Sequence, residues 1–191
     1  MKKVLIYSLI CIASAVSVYA QNLLQNGDFE SNNGAVTQFN DNNIDISPWK
    51  VFGNDGGFLH NDYPGQGGSY WSVKMFDDAG TYLTQDFPVT GGQRYKASGF
   101  SFNTSGDQLA GKQAIIKFDW YSDANGEAYL DSSEIAAITG GALDLWIPFN
   151  RVVAAPANAI MGRITIYTKV TGENPAGAIG IDNLSVIKVG R

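Results

Sequence analysis

The chain has 191 residues, enough for one sizeable domain and short for two, and its 22 glycines and 12% aromatic content suit a turn-dense β-protein. A formal charge of −5 without basic clusters excludes nucleic acid or an anionic membrane surface as the natural partner. One histidine, one cysteine and the lack of an H-E-x-x-H or a G-x-S-x-G sequence argue against histidine-ligated zinc and a conventional catalytic triad.

Residues 1–20 read as a secretory signal peptide: Lys2 and Lys3 form the positive start, Val4 to Val16 the apolar stretch, and Val18-Tyr19-Ala20 the cleavage site. The apolar run is too short for a good membrane span, and Ile10 stands before Cys11 where a lipoprotein site needs a small residue. A mature chain, Gln21–Arg191, is then a single domain with 11 basic against 18 acidic residues, a formal charge of −7. It has no cysteine, so its stability comes from a core or a metal rather than a disulfide.

After the Asn26-Gly27 turn in NLLQNGDFE, residues 31–47 lack periodicity and read as a long loop, and Pro48–Phe52 reads as a short strand. A second irregular stretch reaches Gly68, with Phe58, His60 and Tyr63 lining either a site or a small core beneath the loop. Ser69–Phe102 then holds three strands in a row. Trp71, Val73 and Met75 alternate with polar residues, Leu83 and Phe87 oppose Tyr82, Thr84 and Asp86, and Tyr95 and Ala97 are out of step with Phe100 and Phe102. A bulge at Gly99 accounts for that last phase change.

Lys112–Tyr121 alternates cleanly, with Ala114, Ile116, Phe118 and Trp120 on one face and Lys117, Asp119 and Tyr121 on the other, before an Asn125-Gly126 hairpin signal. Further strands are expected at Tyr129–Ile138, Leu145–Ala154, Ile160–Lys169 and Ala178–Val189. In these Ile164 and Ile166 oppose Arg163, Thr165 and Tyr167, while Leu145, Ile147 and Phe149 oppose an exposed Trp146. Nine or ten strands without a helix predict an all-β, two-sheet antiparallel β-sandwich of the jelly-roll kind.

Several segments in order resemble the carbohydrate-binding modules of the cellulase-C type, galactose-binding-like jelly rolls: NLLQNGDFE, Pro48-Trp49, GGSYWSVKMF, LTQDFPVTGGQRYKASGF, FDWYSDANGE, AAPANA and IDNLSV. The resemblance spans nearly the whole mature chain and implies binding of a polysaccharide or oligosaccharide without catalysis. It also implies that Thr81–Phe87, Lys112–Tyr121 and Ile160–Lys169 share one sheet.

By alternation Tyr82, Asp119, Tyr121, Arg163 and Tyr167 point away from the core. The shared sheet would gather them on one concave face, where aromatic rings meet the apolar faces of pyranoses and polar groups meet hydroxyls; the alternative is that they are ordinary cross-strand pairs on a solvated sheet. Trp49, after a proline, either plugs the sandwich or forms a wall of the site. In similar modules the chain ends meet at a structural calcium ion, which implicates Asp28, Glu30 and Asp182 as oxygen ligands; the alternative is that Asp28 and Asp182 cap turns.

Two other functions stay open. One is a structural or adhesive surface protein. The other is a small polysaccharide-degrading enzyme using a carboxylate pair, with Glu127 and Glu134 or Asp119 and Asp123 as formal candidates.

Overall fold

The computed structural model describes residues 21–32, 37–39, 46–53, 57–60, 63, 65–76 and 80–190. Its strands are β1 (Thr37–Phe39), β2 (Lys50–Phe52), β3 (Gly57–His60), β4 (Ser72–Met75), β5 (Tyr82–Pro88), β6 (Arg94–Phe102), β7 (Lys112–Tyr121), β8 (Tyr129–Ile138), β9 (Trp146–Ala154), β10 (Met161–Val170) and β11 (Ile179–Val189). They form a six-stranded sheet in the order β1-β3-β4-β11-β6-β9 and a five-stranded sheet in the order β2-β5-β10-β7-β8. Every strand pairing is antiparallel. This is the all-β jelly-roll sandwich that the sequence predicts.

The core follows from the alternation. Ala114, Ile116, Phe118 and Trp120 of β7 are fully buried, beside Leu83 and Phe87 of β5 and Ile164 and Ile166 of β10. From the other sheet Tyr95 of β6, Val73 and Met75 of β4, and Ile179 and Ile181 of β11 close over them. An aromatic knot sits at the centre: the Phe87 ring lies 5.1 Å from Phe118, and Trp120 lies 5.2 Å from Phe118 and 6.1 Å from Tyr95. The polar handles of this knot are satisfied, since Trp120 Nε1 donates to Ser133 Oγ at 3.0 Å and the Tyr95 hydroxyl accepts the Thr90 N–H at 2.7 Å.

Gly162 on β10 makes room for the knot, because a Cβ there would stand 2.5 Å from Phe87 Cζ. The chain ends meet along β11: Leu23 N–H donates to Val186 O at 2.7 Å, and Leu184 N–H to Gly27 O at 2.8 Å.

The structure corrects several local expectations. Residues 31–47 and the stretch up to Gly68 are not loop throughout, for they carry β1 and β3, strands of three and four residues that are too short to show a period. Strand β6 has no bulge at Gly99; its register with β9 is unbroken from Arg94 to Phe102. The irregularity lies across from it, in β11 between Asp182 and Ser185. Gly99 is there for space, as a Cβ would stand 2.8 Å from both Leu184 Cδ2 and Phe149 Cζ.

Phe102 therefore keeps phase and points outward, where Tyr63 covers it at 5.4 Å and Trp146 at 5.1 Å. Trp146 is thus half-buried rather than exposed. Leu145 and Ile147 are the exposed residues, at 59% and 40%, because β9 is an edge strand and only Phe149 and Val153 reach the core. Residues 1–20, read from the sequence as a signal peptide, and the side chains of Phe58 and His60 lie outside the described part. No helix among the described residues is long and apolar enough to cross a membrane.

Candidate functional site

The outward face of the five-stranded sheet is built in four cross-strand rows, read from the pairings of β2, β5, β10, β7 and β8. The first row holds Phe52, Tyr82, Tyr167 and Ile115. The second holds Lys50, Thr84, Thr165, Lys117 and Glu134. The third holds Asp86, Arg163, Asp119 and Ser132. The fourth holds Pro88, Met161, Tyr121 and Tyr129. Six residue steps along β10, from Met161 to Tyr167, separate the first row from the fourth, about 20 Å at a strand rise of about 3.3 Å per residue. Two polar rows therefore lie between two aromatic ones.

At the first row Tyr82 and Tyr167 pack at 5.2 Å with planes 40° apart, and Phe52 and Tyr82 are 50% and 39% exposed. At the fourth row Tyr121 and Tyr129 meet edge to face at 5.9 Å, Tyr129 being 57% exposed.

The middle is an ionic lattice. Arg163 grips Asp86 with both branches, Nε to Oδ1 at 2.6 Å and Nη2 to Oδ2 at 3.2 Å, while Nη1 donates to the Tyr121 hydroxyl at 3.4 Å. Lys50 Nζ stands 3.7 Å from Asp86 Oδ2. Lys117 donates to Asp119 Oδ1 at 2.8 Å and Thr165 to Asp119 Oδ2 at 2.9 Å.

These contacts fix protonation. The hydrogen bonds and charge of Asp86 hold the Arg163 guanidinium above its ordinary pKa. Burial pulls the Lys117 ammonium down, but the hydrogen bond and charge of Asp119 together outweigh it and leave it raised. Burial pushes the phenols of Tyr121 and Tyr167 up. At neutral pH the face thus offers two fixed cations and neutral phenols able to donate hydrogen bonds.

Of the residues read from the sequence, Tyr82, Asp119, Tyr121, Arg163 and Tyr167 do share this face. They divide in role, because Asp119 and Tyr121 are buried at 6% and 8% exposure and brace Lys117 and Arg163 from behind. Trp49 is not on the face. It is buried at 2% against Phe29, 5.4 Å away, and its Nε1 donates to Asn26 O at 2.8 Å, so it plugs the sandwich.

Phe52 and Tyr129 are site residues that sequence reasoning missed. Phe52 is one step out of phase with buried Val51 on a three-residue strand, too short to display a period. Tyr129 opposes Tyr121 only once the β7–β8 hairpin register is known.

The acidic chain ends separate similarly. Asp28, Glu30 and Asp182 do not gather into one cluster of three. Asp28 is exposed and accepts the Glu30 N–H at 3.4 Å, which is turn capping. Glu30 Oε1 accepts the N–H groups of Tyr70 and Trp71 at 2.8 and 2.7 Å. Asp182, with 0% exposure, accepts Gln66 N–H at 2.9 Å, the Ser69 hydroxyl at 2.7 Å and Asn183 N–H at 2.6 Å.

Burial, joined by the nearby charge of Glu30, pushes the Asp182 pKa up to about 6. None of the ion pairs described reaches it. Two neighbouring carboxylates, one of them fully buried, are oxygen donors of the kind a hard cation takes, and backbone carbonyls would have to supply the other ligands.

No family model matches this sequence, and no curated protein does. Solved structures do match. The enzymatically active domain of the bacteriophage CBA120 tailspike protein 4 aligns over 88% of this chain at 19% identity and a TM-score of 0.62. The chain spans only 21% of that protein's length. A family 61 carbohydrate-binding module solved in complex with β-1,4-galactotriose aligns over 89% of this chain and 100% of its own at 19% identity, TM-score 0.52.

The chain has the fold of a carbohydrate-binding module. A second such module, of family 16, is matched over 87% of this chain and 99% of its own, with 14% identity and a TM-score of 0.56.

Proposed function

We propose that this protein is an exported, non-catalytic polysaccharide-binding module that holds its glycan on the outward face of the five-stranded sheet. The observation that carries this reading is the row pattern, with exposed aromatic rings at both ends of an ion-paired polar lattice. Pyranose rings present apolar C–H faces and a girdle of hydroxyls. Phe52, Tyr82 and Tyr129 suit the faces, while Arg163 and Lys117 suit the hydroxyls. Because the ion pairs hold their side chains in place before a ligand arrives, binding costs little ordering. The shared fold with a module solved in complex with galactotriose agrees with this.

The chemistry of the carboxylates favours binding over hydrolysis. Asp119 is committed to Lys117 and Thr165. Asp123 accepts the N–H groups of Ala128 and Glu127, and these hold its pKa below the usual range, the reverse of what a general acid needs. Glycan-array screening of residues 21–191, followed by product analysis, tests the reading. Binding with no new reducing or unsaturated ends is expected, and release of either product contradicts it.

A calcium ion at the chain ends belongs to the same proposal, with Glu30 and Asp182 as the residues that would hold it. Such an ion neutralises the buried charge and ties β11 to the N-terminal segment in a chain whose mature form has no disulfide.

A further inference from the structure

At the fourth row the outward face ends in a small apolar pocket of about 270 Å³, lined by Asp86, Phe87, Pro88, Ala124, Ile160 and Met161. The β7–β8 turn forms its outer wall. A Cβ on Gly126 would stand 2.6 Å from Arg163 Nη2 and 3.0 Å from Met161 Cε, so the turn backbone lies directly on the site and fixes Ala124 over the pocket. Asp86 is the single polar lining residue, and both its carboxylate oxygens already accept from Arg163. Ile160 forms an open rim at 50% exposure.

We propose that this pocket is a specificity subsite for a methyl-bearing substituent on the bound glycan, either an O-acetyl group or the C6 methyl of a deoxy sugar. The inference rests on reading the adjoining face as a glycan site. The pocket's volume is well above the roughly 30 Å³ share of one water and its lining is apolar apart from Asp86, so an apolar group gains by entering it.

A hydroxyl entering this pocket leaves water and finds one possible partner in the lining, Asp86, so it gains little. A methyl group enters with a gain. The polar rows beside the pocket set the chain, and the pocket reads what one of its sugars carries.

Calorimetric titration with two matched pairs tests this: an O-acetylated hemicellulose against its alkali-deacetylated form, and a fucosylated polymer before and after enzymatic defucosylation. The expected result is a preference of about fourfold or more for the substituted member of one pair, the value of burying one methyl group, and the pair that shows it names the source. Ala124→Trp fills the pocket and Ile160→Asp places a charge on its rim. Each abolishes the preference while leaving affinity for the unsubstituted glycan unchanged.

Equal affinity within both pairs overturns the subsite and leaves the face intact as a binding site. A preference that survives both variants also overturns it. No binding to any of the four polymers overturns the subsite and the glycan-binding reading together.

Discussion

Titrating the metal-free protein between about pH 4 and 6 perturbs one buried group above the others, Asp182. Its pKa is pushed from 3.8 up to about 6, so in this window the folded chain keeps a proton that the unfolded chain has already lost. The sign follows: the contribution of Asp182 is at its most stabilising below about pH 4 and is lost as the pH rises through about 6. The full shift corresponds to about 3 kcal/mol at most, and relaxation around the buried carboxylate reduces that to about 2 kcal/mol. For a domain of this size about 2 kcal/mol is about 4–8 °C in Tm.

Thermal melts by circular dichroism with a chelator present, for the wild type and Asp182→Asn, read the effect as the difference between the two curves. Contributions of opposite sign from Asp123 and Asp144, whose pKa values are lowered by hydrogen bonds from Ala128 and Ser105 respectively, cancel in that difference. The wild type loses stability relative to the variant as the pH rises. A difference curve that is flat or slopes the other way refutes the burial argument. Calcium reverses the slope, since a bound cation holds the carboxylate ionised and acid releases it. If added calcium changes neither Tm nor slope, Glu30 and Asp182 hold no metal.

Other predictions concern the core and the lattice. Trp120→Ala removes the centre of the aromatic knot and lowers unfolding free energy by about 3–5 kcal/mol in urea titration, whereas a loss under about 1 kcal/mol would show that the knot adds little. Gly99→Val drives a side chain into Leu184 and Phe149 and costs about 1–3 kcal/mol by the same assay; unchanged stability would mean that β11 and β9 give way easily. Arg163→Ala releases Asp86 and the Tyr121 hydroxyl, so glycan affinity falls by about 1–3 kcal/mol in calorimetry, and unaltered affinity removes the third row from the site.

The long strands were legible because one of their faces is fully buried. On β7 and β10 a period of two separates Phe118, Trp120, Ile164 and Ile166 from Asp119, Tyr121, Arg163 and Tyr167, so the site residues fall out by subtraction. What the sequence hides is long-range pairing. Phe102 loses its expected phase change because Tyr63 and Trp146, 39 and 44 residues away, cover it from outside.

The misplaced bulge has a similar origin. Gly99 marks a close approach, but only the pairing shows that the extra residue belongs to β11. Trp49 was decidable in retrospect, since it is in phase with buried Val51 while Lys50 and Phe52 face out. The division of the acidic ends into a capping Asp28 and a buried Asp182 depends on where the Gln66–Trp71 segment folds back, which no local pattern encodes.

Calorimetric titration of one binding glycan against the wild type, Tyr82→Ala, Tyr129→Ala and Trp146→Ala tests the central claim most directly. The two tyrosines stand at opposite ends of the outward face, and Trp146 lies on the other sheet. Each tyrosine variant is expected to lose about 1–3 kcal/mol of binding, about 5- to 150-fold in Kd, with its melting temperature little changed, while Trp146→Ala binds as the wild type does. Full affinity in both tyrosine variants, or a loss confined to Trp146→Ala, contradicts a glycan site on the five-stranded sheet.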